Sequence, residues 1–137
     1  MPQNPKKHYS TAVYDFTVDG GAHAATNHIA LADSATFPED AYVTDITMYT
    51  YKDVAGSSST LQIILGEAAN TTSDMPLTAA IAEASFADES VQALLVPAPG
   101  AKLKKASVVK LDVGTADLTA GKIYIIIGYF IGSALES

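Results

Sequence analysis

Few residues of this chain could carry chemistry, and their spacing argues against catalysis. The three histidines are His8, His23 and His28. His8 falls in a Pro- and Lys-containing leading stretch, while His23 and His28 flank an expected turn. A zinc site needs convergent ligands, usually Cys or carboxylates at ligand spacing. No such cluster is visible, so all three read as surface loop histidines and no metal is expected. The carboxylate pairs Glu39/Asp40 and Asp88/Glu89 are adjacent in sequence. Neighbours on a strand point to opposite faces, so neither pair would share a proton or flank a glycosidic bond; turn solvation is their expected role. The chain has no Cys, hence no disulfide framework, thiolate metal site or Cys nucleophile, and redox compartment stays open. A Gly-x-Ser-x-Gly elbow and a phosphate-cradling glycine loop are both missing, and Asp19-Gly20-Gly21 alone reads as a turn. Asn70-Thr71-Thr72 fits a glycosylation sequon, a weak signal. The expectation is a protein that is not an enzyme, with no catalytic, cofactor-binding or metal-binding residues.

Binding residues are easier to nominate. Lys102, Lys104 and Lys105 form the one basic cluster in a chain of net charge −7 and pI about 4.6. One reading is a solvated loop; the other is a contact with an acidic partner, which sets orientation and on-rate more than affinity. Residues 1–9, including Pro5, Lys6 and Lys7, read as an extended arm, either frayed or laid over a neighbouring subunit. Tyr49 and Tyr51 share a strand face with Asp45. They lie outside, where aromatics are enriched at interfaces, if the opposite face fills the core. The preferred alternative places both on the second face of a strand buried on two sides. All eight basic residues are Lys. Arg supplies the bidentate fork that phosphates and base edges favour, so an acidic, Arg-free domain is a poor nucleic-acid binder. The leading stretch lacks the apolar core of a signal peptide, which points to synthesis inside the cell.

These residues must be positioned by strands. At 137 residues and 14.3 kDa, with 48% hydrophobic residues, the chain is long and apolar enough for one core without disulfides. Charged residues are only 17%, below the usual quarter. The neutral surface this leaves fits either coverage by another subunit or a merely Ala-rich protein. Residues 121–131 (Gly-Lys-Ile-Tyr-Ile-Ile-Ile-Gly-Tyr-Phe-Ile) are β-branched and aromatic throughout. They read as a strand buried on both faces at the centre of a sheet, entered through a turn at Leu118-Thr119-Ala120-Gly121. The run is too short to span a bilayer as a helix, which takes about 20 apolar residues; no membrane partner is expected.

Further strands are expected over 10–18, 27–31, 41–51, 60–65, 91–96 and 107–113, with Leu61, Ile63, Leu65, Val109, Leu111 and Val113 inward. Strands 41–51 and 60–65, joined by Gly56-Ser57-Ser58-Ser59, look like an antiparallel pair. Residues 76–86 suit a short helix capped by Asp74, or a strand over 80–86. Seven or eight short strands with turns between them, and no strand–helix alternation, predict an all-β fold: an antiparallel, jelly-roll-like β-sandwich over 10–137. An immunoglobulin-like sandwich competes but lacks its Cys and Trp landmarks.

Several segments then occur in a telling order: Thr17-Val18-Asp19-Gly20-Gly21-Ala22, Phe37-Pro38 leading into Ala41-Tyr42-Val43-Thr44-Asp45, Leu65-Gly66 after an alternating strand, and Leu118-Thr119-Ala120-Gly121-Lys122 before an aromatic-rich strand. From about Tyr14 to Tyr129 the chain resembles small virion structural proteins of tailed bacteriophages, of the head-decoration (capsid cement) type. The resemblance implies a non-enzymatic protein made in the bacterial host cytoplasm. It would bind the outside of the major capsid protein shell as a homo-oligomer, a trimer or else a dimer. It carries over no catalytic residues and does not identify contacts. Two other classes compete: a carbohydrate- or receptor-binding jelly-roll module of a phage tail or fibre, using Tyr49, Tyr51 or Tyr124, and a cupin-like enzyme, which the scattered histidines disfavour.

Overall fold

The computed structural model describes residues 6–23, 28–68, 74–95 and 101–131. Its organising element is the last strand, β11 (Leu118–Ile131). Isoleucine at every second position gives a period of two, so one face of the strand is wholly apolar. Ile123, Ile125 and Ile127 are fully buried on that face. The strand is hydrogen-bonded on both sides, antiparallel to β1 (His8–Asp15) and to β4 (Ala41–Gly56). Among the described residues it is the centre of a sheet ordered β3 (Asp33–Ser34), β1, β11, β4, β8 (Val91–Leu95), with β9 (Ala101–Lys102) beside β4. The opposing sheet is ordered β2 (Ile29–Ala30), β10 (Val108–Gly114), β5 (Thr60–Gly66), β6 (Met75–Pro76), with β7 (Ile81–Ala82) beside β5. All pairings are antiparallel, and the two sheets pack as a jelly-roll-like sandwich.

The core lies between the sheets. Ala12, Tyr14, Val43, Ile46, Met48 and the β11 isoleucines face Leu61, Ile63, Leu65, Val109, Leu111 and Val113. The expected inward residues of β5 and β10 are therefore all buried. Tyr14 is buried with its hydroxyl donating to the Gly20 carbonyl at 2.7 Å. Burial pushes its phenol well above the ordinary tyrosine range, with the Asp19 and Asp15 carboxylates adding to the effect.

Several expectations are corrected. β4 and β5 do not pair: Gly56–Ser59 carries the chain from one sheet to the other, and β4 instead pairs with β11, β8 and β9. Hydrophobic alternation marks both as half-buried strands but does not name their neighbours. The first strand starts at His8, inside the expected arm, and stops at Asp15, whose carboxylate accepts from the Thr17 N–H and caps a single helical turn, α1 (Phe16–Asp19). Leu118–Gly121 is already strand, and the turn lies just before it, with Thr115 at φ 76. Gly121, at φ 144 and pressed against Val54, takes up a register shift of β11 that a Cβ would obstruct. No α-helix forms over 76–86; β7 and a 3-10 turn at Glu83–Ser85 stand there, while Leu77 and Phe86 are buried. The outer face of β11 is not fully buried, since Tyr124 and Ile126 keep partial exposure. The described residues hold eleven strands: seven fall on the expected ones, and the other four, β3, β6, β7 and β9, are dipeptides.

Ile125 stands opposite Ala12 and Met48 with no exposure. Ile125→Asp is expected to abolish folding, because an unpaired carboxylate there costs several kcal/mol, roughly the whole stability of a small domain. Ile125→Ala should fold with about 2–5 kcal/mol less stability. Denaturant titration by circular dichroism checks both, and an unchanged midpoint in either would contradict the burial.

Candidate functional site

Among the described residues, no group of three or more His, Asp or Glu side chains is arranged to hold a metal, and no helix is long and apolar enough to cross a membrane. What the fold presents instead is surface, and its two outer faces differ.

The outer face of the β2–β10–β5 sheet is covered at its centre. By alternation Ile64 and Lys110 point away from the core, yet both are buried. The Lys110 ammonium donates to both carboxylate oxygens of Asp74, at 2.8 and 3.0 Å, and to the Glu67 carbonyl at 3.1 Å. His28 Nδ1 meets the second Asp74 oxygen at 2.6 Å, and its Nε2 lies 3.9 Å from Asp112. A buried ammonium is tolerable only when its charge and protons are satisfied in this way. His28 is thus a member of an ion cluster, not a surface loop histidine, and Asp74 pins a lysine rather than capping a helix. His8 also leaves the loop class: it sits in β1, stacked on Tyr129 at 5.4 Å. His23 remains in a loop, with its N–H on Asp117 and its ring on the Val113 carbonyl.

The outer face of the β1–β11–β4 sheet is open and aromatic. Cross-strand register places Val13, Tyr124, Tyr49 and Val91 in one row from β1 to β8. Tyr51 projects where the β11–β4 register shifts and meets Tyr49 edge-on at 5.0 Å and Tyr124 at 6.2 Å. The Lys122 ammonium lies 5.9 Å from the centre of the Tyr51 ring. Tyr51 and Val91 are 49% and 59% exposed, so the outside position of Tyr49 and Tyr51 is the one realised, not burial on a second core face.

The lysines named from sequence gather at one end of the sandwich. His8 pairs with Tyr129, Tyr129 with Val43, and Val43 with Ala101, so the strand ends bearing Lys6, Lys7 and Lys102 are neighbours. Lys104 and Lys105 follow β9 directly and are exposed. Lys7 reaches across Gly128 to Asp45 at 2.5 Å, over a spot that a Cβ on Gly128 would fill. Lys102 pairs with Asp40 at 2.9 Å and lies over Tyr42. A shallow depression of about 570 Å³ between Glu39, Asp40, Lys102, Leu103 and Lys104 opens at this end. Pro5 and the sequon Asn70-Thr71-Thr72 lie outside the described residues. Reasoning from sequence missed Lys110 and Asp74, because nothing local marks two residues 36 apart as partners.

No protein-family model matches the chain, and no curated protein does. Solved structures share its fold. A chain in the capsid of Ralstonia phage GP4 superposes with a TM-score of 0.58 at 18% identity, covering 96% of this chain and 89% of that one. A chain of the cyanophage Pam1 capsid asymmetric unit gives 0.54 at 16% identity, covering 96% and 91%. A chain of the acid-stable capsid of Helicobacter pylori bacteriophage KHP30 gives 0.51 at 17% identity, covering 96% and 94%. At these identities the likeness is one of fold.

Two measurements check the electrostatics. Lys110→Met or Asp74→Leu alone is expected to cost about 3–5 kcal/mol, while the double variant recovers most of the loss; a double-mutant cycle in urea reads the coupling, and additive losses would contradict it. At Asp45, partial burial pushes the carboxyl up, but hydrogen bonds from Lys7 and Thr44 and the Lys7 charge outweigh it and hold it below the ordinary carboxylate range. A depressed carboxyl stabilises above its unfolded pKa and loses that contribution as pH falls through the folded one. Asp45→Asn should therefore melt slightly below the parent at neutral pH, and the gap should close below about pH 4.

Proposed function

We propose that this protein is a non-enzymatic structural component of a phage virion, bound to the outer face of the major capsid shell as a symmetric oligomer. The observation that carries this reading is the fold shared end to end with chains from three phage capsids. About nine-tenths or more of each chain is covered, so the matched chains are of about the same length as this one. The resemblance in the turn-and-strand segments points to the same class from sequence. An Arg-free chain of net charge −7 suits a position away from packaged DNA, whose phosphates would repel it.

The two outer faces divide the work of assembly. The Lys110–Asp74–His28 cluster covers the centre of one of them. The Tyr49–Tyr51–Tyr124 patch on the other supplies the aromatic area that contacts between copies favour. A trimer is the proposed state and a dimer its alternative, since closed symmetry repeats one contact around an axis. The same tyrosine patch favours a second reading, a carbohydrate-binding module of a tail or fibre, in which the rings stack on sugars.

Light scattering on the purified protein, followed by sedimentation with undecorated capsids, tests both. The expected result is a trimeric or dimeric mass that co-sediments with shells. In the double variant Tyr49→Ser/Tyr51→Ser the mass should fall toward that of one chain, with the circular dichroism unchanged. A monomer that ignores capsids and binds a glycan array would replace the proposal with the second reading.

A further inference from the structure

The charges of this molecule are sorted along its long axis. Strand register assigns each described charged residue to an end or to the middle. One end holds the start of β1, the end of β11, the start of β4, and β9. It carries Lys6, Lys7, Lys102, Lys104 and Lys105, five of the eight lysines, against Glu39, Asp40, Asp45 and Glu67. The other end holds α1, the end of β4, the 3-10 turn and the turn before β11. It carries Asp15, Asp19, Asp53, Glu83, Asp88, Glu89 and Asp117, seven carboxylates, against Lys52 and Lys122. Hydrogen bonds between its loops tie this second end together: Asp117 to the His23 N–H, Glu83 to the Ser59 N–H, and Asp53 to the Asp88 N–H. A chain of net charge −7 thus has one end of slight positive charge and one strongly negative end.

We infer that the lysine end is the docking end and that its partner is an acidic protein surface. Resting on the reading proposed above, that surface is the outside of the capsid shell, with the carboxylate end turned toward solvent. Complementary charge selects the orientation: a negative surface repels the carboxylate end and admits the other, so the dipole aligns the protein before contact. Lys104 and Lys105 are exposed beside the shallow depression and are placed to reach a partner. The pairs Lys7–Asp45 and Lys102–Asp40 hold the flanking lysines in fixed directions. A second copy of this chain is the weaker occupant. Contact of a lysine end with a carboxylate end is heterologous and continues into an open filament unless its rotation closes a ring, unlike a closed contact through the tyrosine patch.

The test is sedimentation with undecorated capsids, at 50 and 200 mM NaCl, of the parent and two variants carrying the same change in net charge. Lys104→Gln/Lys105→Gln removes positive charge from the docking end. Ser57→Glu/Thr119→Glu adds negative charge at the far end, at exposed positions. The expected result is that the first variant binds about fivefold more weakly at low salt, with a shallower salt dependence, while the second binds like the parent. Equal binding by all three overturns the docking end and leaves the functional reading standing. No binding by the parent overturns both. A parent whose mass by light scattering falls with salt, and falls likewise in the Gln variant, identifies a second copy as the occupant and overturns the shell contact.

Discussion

Everything in this fold depends on satisfying β11 on both edges while its inner face is dry. A central strand must place each backbone N–H and C=O against a neighbour, because no water reaches it to substitute. β4 does this from one side along Leu118–Ile131, and β1 from the other along residues 122–129. Packing Ile123, Ile125 and Ile127 against the opposing sheet then fixes which face of each partner looks inward, since slipping the register by one residue would turn every side chain over. Where the two edges cannot be kept in phase, the strand accommodates the difference locally, with Gly121 and the Thr44 region as the points of adjustment.

Much of this was legible in the chain. Period-two alternation identified β4, β5 and β10 and the inward residues of β5 and β10, because burial of one sheet face leaves a mark within a few residues; β11 was marked instead by its continuous β-branched and aromatic run. Partnership leaves no such mark. Pairing β4 with β5 was a sound inference from a short connection, but hairpins and sheet-to-sheet crossings can use similar linkers, and the choice is made by β11. Residues 76–86 misled for a related reason. Leu77, Ile81 and Ala84 have the i, i+4, i+7 spacing of a helical face, but Ala84 is exposed, and the segment is anchored to the core by Leu77 and Phe86 instead.

The interaction surfaces were legible as residue types but not as places. Lys6, Lys7 and the 102–105 lysines are about a hundred positions apart, and only the β1–β11–β4–β9 order makes them neighbours. Lys110 shows the opposite case. Its position in an alternating strand marks it as outward, and outward ordinarily means wet. It is dry because Asp74 arrives from elsewhere to neutralise it, with His28 hydrogen-bonded to the same carboxylate. One sheet is thereby covered at its centre by charge and the other left open by aromatics, an asymmetry that gives the sandwich a front and a back.

The pairing of β1 with β11 also bears on how the chain reaches its fold. The Ser10 and Tyr129 hydroxyls share a hydrogen bond across 119 residues of sequence, so β1 must wait for β11. Until β11 leaves the ribosome, β1 and β4 each keep an edge of backbone N–H and C=O groups whose partner is not yet synthesised. Long-range pairing of this kind is slow and exposes aggregation-prone surface. Synthesis of β11 is therefore the earliest point at which the fold can close. A chain stalled before residue 118 would lack the strand that joins β1 to β4 and would be a client for chaperones and proteases rather than a smaller version of the same protein.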